Sequence, residues 1–215
     1  MDGLIVFSPV RGDPLLPQIR RRGTPMVLVG RDPDGKGLDP CVDNDHVAGT
    51  RSVFDHLEAC GATRPALLGV ALGDAFTEDC LTGYRDWCAA RSARPRILMI
   101  PAGLPPRQTD AMIRAFLTGA DRADALHATV WEVGARTAEV TLGLGLQIPR
   151  DLMITACGDT EPLPDEPQIT QLKLFPELAA RESMDLLMTL VRGTPSQIDR
   201  TIPTELVIRD STGRR

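Results

Sequence analysis

Apolar positions in this chain fall into short blocks. Leu4 to Phe7, Met26 to Val29, Ala66 to Val70, Ile97 to Ile100, Ala125 to Val130 and Leu152 to Cys157 are almost continuously apolar, bounded by Gly, Pro or charged residues. A strand with one solvated face alternates apolar with polar, so near-continuous runs predict strands covered on both faces, as in a parallel sheet. Between the blocks the period lengthens to that of a helix. Val47, Val53, Phe54, Leu57 and Cys60 share one face of a segment that Asn44 or Asp45 can cap and Gly61 can stop. Further helices are predicted over roughly 15–22, 78–91, 108–117, 133–144 with Gly145 at its end, and 176–191 with Gly193 just beyond. The β-α alternation predicts an α/β fold with parallel sheets flanked by helices, right-handed crossovers, and ligands at the carboxyl ends of strands. A break at 69–74 and a Pro-rich stretch at 101–106 leave room for two lobes, and the pattern by itself allows one sheet or two.

The balance of 24 basic against 29 acidic residues gives a formal net charge of −5. Such a surface repels a phosphate backbone, so no general nucleic-acid face is expected here. All the basic residues but Lys36 and Lys173 are arginines, and they are scattered apart from Arg20-Arg21-Arg22. The amino terminus lacks the basic region, apolar core and small-residue cleavage site of an export signal. No apolar run approaches the ~20 residues that span a bilayer. The odd set Cys41, Cys60, Cys80, Cys88 and Cys157, without a CxxC pair, fits reduced, buried thiols in a cytoplasm better than disulfides or zinc.

Chemistry-bearing motifs are missing. No serine sits in G-x-S-x-G, and neither G-x-x-x-x-G-K-[ST] nor G-x-G-x-x-G occurs. His46, His56 and His127 form no H-x-x-x-H or H-E-x-x-H pair, and His56 reads as a helix-surface or interface residue. Asp43 with Asp45, and Asp32 with Asp34, read as caps and turn residues. The expectation is a binding protein, not an enzyme, without cofactor or metal.

Several stretches, in order, resemble the effector-binding core of the lactose/galactose repressor (LacI/GalR) family, which shares the type I periplasmic binding protein fold. They are Asp2-Gly3-Leu4-Ile5-Val6, Gly23-Thr24-Pro25-Met26-Val27-Leu28-Val29-Gly30-Arg31, Val42-Asp43-Asn44-Asp45-His46-Val47-Ala48-Gly49, His56-Leu57-Glu58-Ala59-Cys60-Gly61 and Gly83-Tyr84-Arg85. Then follow Gly145 to Leu152, Asp159-Thr160-Glu161, and Pro203 to Thr212, which is similar to the family's terminal strand. The resemblance implies a two-lobed core with a small-molecule effector in the inter-lobe cleft, a homodimer, and operator DNA reached through a helix-turn-helix not present in this chain. It also implies that the first βα unit is missing, which should leave unpaired strand edges and apolar surface. The lobes it suggests are 1–71 (amino-terminal, partial), 72–166 (carboxy-terminal), 167–195 (return to the first) and 196–215 (strand and tail of the second).

Positions that implied pocket resemblance would make polar are altered. Cys80 stands where the family usually has arginine, Val130-Trp131 where it has asparagine-aspartate, and Gly158 where it has the first of two aspartates before Thr160; Gly30 stands at a common aspartate position, although glycine-arginine is also seen there in the family. Asp159 remains. An unpaired buried ligand hydroxyl costs about 1–3 kcal/mol, so losing three polar anchors points to a less polar, aromatic-stacked effector with Trp131 as platform, or to no effector at all. Phe7, Ser8 and Arg31, at strand ends, complete the candidate ligand-binding set, with Arg31 as partner for an anionic group. The alternative role on this scaffold is a solute-binding protein of a transporter, which would require export.

Overall fold

The computed structural model describes residues 2–35, 37, 39–161, 168–193 and 199–213, so Arg214 and Arg215 at the tail and the expected boundaries at 166/167 and 195/196 lie outside the described residues. Two compact units are present. The first comprises 1–45, 72–79 and 175–204, the second 46–71, 80–174 and 205–215.

The first unit holds strands β1 (Leu4–Phe7), β2 (Met26–Val29), β3 (Cys41–Asn44) and β9 (Arg200–Ile202), and helices α1 (Leu16–Arg22) and α6 (Pro176–Val191). Its sheet is parallel throughout, in the order β1-β2-β3-β9. The strand period of two decides the layers. Met26 and Leu28 join Leu16 and Cys41 in one cluster, whereas Val27 and Val42 join Ala179, Leu186, Leu187 and Ile202 in another. Gly23 ends α1 at φ 64°, a left-handed stop that costs a glycine nothing. At the edge of the sheet stands β1, and Phe7, Met184, Met188 and Val191 are large exposed apolar side chains of this unit.

The second unit is built on β4 (Pro65–Ala71), β5 (Ile97–Pro101), β6 (Ala125–Ala128), β7 (Met153–Cys157), β8 (Thr170–Lys173) and β10 (Glu205–Val207). The order is β10-β8-β7-β6-β4-β5, parallel except that β10 runs antiparallel to β8. Its helices are α2 (His46–Ala59), α4 (Pro106–Thr118), α5 (Trp131–Gly143) and α3 (Ala75–Ala90), whose residues from Cys80 onward cluster here. Leu68, Leu126, Ala128, Ile154 and Ala156 form a core with Ile113, Leu117, Ala138 and Val140 from α4 and α5. A second aromatic core comes from α2 and α3: Phe54 stacks on Tyr84 at 4.3 Å between centroids and lies 5.6 Å from Trp87. The two helices approach so closely that a Cβ at Gly83 would stand 2.6 Å from the Val47 carbonyl, which only glycine permits.

The units divide the chain elsewhere than the resemblance suggests. Segment 46–71 joins the second unit because Val53, Phe54 and Leu57 of α2 are fully buried there and α2 packs on β4, β6 and β10. Residues 72–79 join the first, where Asp74 bridges Val10. β3, β8, β9 and β10 are additional to the strands read from the apolar runs, and β10 falls within the stretch that resembles the family's terminal strand.

Candidate functional site

The sequence-predicted residues fall into one group in each unit. In the first, the register Phe7↔Val29 brings the carboxyl ends of β1 and β2 together. Phe7 is 61% exposed, and Ser8, at φ 43°, donates its backbone N–H to the Val29 carbonyl over 2.8 Å. Gly30 lies opposite, at φ 83° and with an ideal Cβ 3.8 Å from Ser8 Cα, so a side chain there would be strained by the backbone rather than by crowding. Arg31 follows. Its guanidinium donates to Asp79, and its Nε stands 3.4 Å from Asp43 Oδ2. The hydrogen bond to Asp79 raises the Arg31 pKa further above its ordinary value. Two carboxylates thus already neutralise this cation, and an anionic ligand reaching Arg31 would compete with both.

In the second unit the register Ala128↔Ala156 sets the ends of β6 and β7 side by side. Trp131 opens α5 just past β6, and Gly158 directly follows β7. A Cβ on Gly158 would stand 3.1 Å from Trp131 Cβ and 3.6 Å from its Cε3, so the indole packs over bare backbone. This contact supplies a physical reason for glycine where the resemblance suggests aspartate. We expect Gly158→Val to push the indole aside and to cost about 1–3 kcal/mol, with the Trp131 fluorescence maximum moving on substitution. An unmoved maximum and an unmoved melting temperature would show that the indole does not rest on this backbone.

Asp159 turns away to hold the chain: its Oδ2 accepts the Leu174 N–H at 3.0 Å. Cys80 is buried on α3, beside Cys157, the residue before Gly158. Interaction with the Cys80 thiol and burial push the Cys157 thiol well above its ordinary pKa. Cys157 Sγ lies 3.6 Å from His127 Nε2, and His127 Nδ1 lies 2.9 Å from Thr155 Oγ1, whose hydroxyl donates onward to the Leu126 carbonyl at 3.4 Å. With Nδ1 as donor and Nε2 as acceptor, every link of this chain is satisfied. Cys80 therefore belongs to a buried polar chain at the same strand end as Gly158.

Two further atoms carry no signal in the sequence. Thr129 Oγ1, two residues before Trp131, and Gln171 Oε1, on β8 opposite Ala156, are buried and have no partner among the described residues. The other end of the Gln171 amide donates to the Thr160 carbonyl at 2.8 Å, which fixes its orientation. Buried polar atoms are nearly always paired in folded proteins, so each such exception calls for a reason.

Each unit is thus a mostly parallel sheet flanked by helices, with Trp131 and Gly158 just past the carboxyl ends of β6 and β7. The chain belongs to the periplasmic binding protein-like domain family, whose model matches residues 54–212. Comparison with curated proteins finds no match. Solved structures share the fold. A LacI family transcriptional regulator from Bifidobacterium animalis subsp. lactis superposes with a TM-score of 0.87 at 19% identity, over 98% of this chain and 78% of that one. A regulatory protein of LacI family from Chloroflexus aggregans gives 0.83 at 24% identity, over 99% and 77%. The transcriptional regulator CelR in complex with cellobiose gives 0.87 at 24% identity, over 98% and 66%. The α/β, periplasmic-binding-protein-like fold and the LacI resemblance read from the sequence are thereby borne out. Among the described residues no helix is long and apolar enough to cross a membrane.

Proposed function

We propose that this chain is the effector-binding and dimerisation core of a LacI-type transcriptional regulator, which senses a small molecule and passes the event to a DNA-reading module outside these residues. The observation that carries this reading is Trp131 packed on Gly158, with Thr129 Oγ1 unsatisfied just past β6 and Gln171 Oε1 unsatisfied on β8 opposite Ala156. An indole face offers an apolar stacking surface, while a lone hydroxyl and a lone amide oxygen offer one or two hydrogen bonds. The effector is accordingly a compact molecule with a flat or stacked apolar face and few polar groups, or a sugar bound by its apolar face. Cys80, Gly158 and Asp159 shape this end of the second unit. Phe7, Ser8 and Arg31 shape the corresponding strand ends of the first. The resemblance of fold to a regulator solved with cellobiose supports a small-molecule ligand.

An effector acts only through its different affinities for the operator-binding and operator-free states, a coupling of ~1–3 kcal/mol. Thermal-shift screening of sugars, nucleosides and aromatic acids is the direct test. A ligand at a hundred times its Kd stabilises by about 2.7 kcal/mol, which is a rise of roughly 5–10 °C for a domain of this size. Trp131→Ala should abolish that rise without lowering the ligand-free melting temperature by a comparable amount. A ligand that binds equally well to Trp131→Ala, or that leaves the operator affinity of the full-length regulator unchanged at every concentration, overturns the proposal.

A further inference from the structure

A cavity lies in the second unit at the opposite end of its sheet from Trp131. It has a volume of about 230 Å³ and sits where β4 begins, roofed by the carboxyl half of α3 and by the loop that follows it. The floor is apolar: Tyr84, Trp87 and Cys88 are all nearly or fully buried. Its polar atoms are already engaged. Tyr84 Oη donates to the Pro65 carbonyl at 2.8 Å and accepts the Arg96 N–H at 3.1 Å, and Trp87 Nε1 donates to Asp55 at 2.9 Å.

The rim is cationic. Arg91, Arg94 and Arg96 line the cavity against a single carboxylate, Glu58. Arg91 is committed: it donates to Glu58 and Asp55 and lies 4.2 Å above the Trp87 ring. Arg96 is only half committed. Its Nη2 donates to Asp121 at 2.8 Å, while its Nε is buried without a partner among the described residues. Arg94 is exposed beside it.

We propose that this cavity is a second ligand site that takes a small single-ring carboxylate, with the ring against the accessible edge of Trp87 and the carboxylate on Arg96 Nε and Arg94. A buried, unpaired guanidinium N–H calls for an anionic acceptor, and a neighbouring arginine supplies the second donor of a fork. Drug-sized sites occupy ~300–1,000 Å³, so this smaller volume admits one ring and excludes two.

Benzoate, with benzamide as its uncharged analogue, tests the assignment in a Trp131→Phe background, where Trp87 is the remaining tryptophan. The result expected is saturable quenching of Trp87 by benzoate and none by benzamide. Arg94→Gln and Arg96→Gln should each weaken benzoate by about ten- to a hundredfold, the worth of one charge-assisted hydrogen bond. Arg94 is exposed, so its variant carries the test even if Arg96→Gln fails to fold. Absence of saturable quenching, equal quenching by benzamide, or undiminished benzoate affinity in Arg94→Gln overturns the proposal. Because Trp131 is absent from every sample, none of these outcomes depends on the effector reading above.

Discussion

Phe54→Ala is expected to lower the stability of the chain by about 3–5 kcal/mol, the usual cost of emptying a buried phenylalanine site. Phe54 is wholly buried on α2, stacked on Tyr84 at 4.3 Å, tilted against Trp87 at 5.6 Å and edge-on to His127 at 5.9 Å. Aromatic pairs add about 0.5–1.5 kcal/mol beyond area burial, and one substitution removes three such contacts. Collapse around the hole is restricted. Tyr84 is tied to Pro65 and Arg96, Trp87 to Asp55, and Gly83 already fixes the closest approach of α3 to α2. Thermal unfolding should shift by on the order of 10 °C, and Trp87 fluorescence should move with it. Phe54→Leu, which retains most of the apolar volume, should cost well under half as much. A shift for Phe54→Ala no larger than about 2 °C would mean that α2 is not anchored on the second sheet through this ring, and the assignment of segment 46–71 to that unit would fall with it.

That assignment shows where sequence and structure part. Val53, Phe54 and Leu57 declare an apolar helix face, but a helix period does not say which of two sheets the face will meet. The strands that were legible owe it to uninterrupted aliphatic runs: Val27 and Leu28, Leu67 and Leu68, Leu126, and Ile154 sit in the buried middles of β2, β4, β6 and β7. β3, β8 and β9 were not legible, because they are three or four residues long and rich in polar side chains. Thr170 and Gln171 are fully buried on β8. Thr170 tolerates it because its backbone N–H donates to Ser211 Oγ and its hydroxyl meets Thr212 Oγ1, partners some 40 positions away in the chain, while Gln171 is only half satisfied, through its donation to the Thr160 carbonyl. No local pattern encodes such a partner.

The candidate site divides in the same way. Trp131 and Gly158 stood out because each departs from the residue that the LacI resemblance leads one to expect, and the structure brings the two into contact. The expected task of Arg31 was legible only as a charge at a strand end. Its neutralisation by Asp79 and Asp43 depends on α3 delivering Asp79, 48 residues later in the chain, to that end. Thr129 and Gln171 could not be singled out, since their interest lies in what surrounds them rather than in what they are. His127 was equally silent, a lone histidine within an apolar strand.

His127 nevertheless makes the fold sensitive to acid. It is fully buried, and desolvation lowers its pKa from 6.5 to about 4. Hydrogen bonding suits the neutral ring, with Thr155 at Nδ1 and Cys157 at Nε2. The unfolded chain takes up a proton near pH 6.5, whereas the folded chain refuses it until about pH 4. The unfolded state therefore binds more protons across this window, so the stabilisation is complete above pH 6.5, is lost as pH falls toward 4, and declines no further below that. A shift from 6.5 to about 4 corresponds to a loss of about 3 kcal/mol. Asp32 and Asp124, whose pKa values are lowered, lose their own contributions as pH falls, and burial lowers the pKa of His56 too. The quantity to measure is thus the difference between wild type and His127→Gln in denaturant unfolding. The variant should be less stable at pH 7, and the gap should close by about 3 kcal/mol between pH 6.5 and pH 4. Should the variant not fold, the imidazole resonances of the wild-type protein report the same thing, staying neutral at pH 5. A gap that does not change with pH, or an imidazole that titrates near 6.5, would show that protons and water reach this ring in the folded state and that the Cys80–Cys157–His127 chain is not sealed.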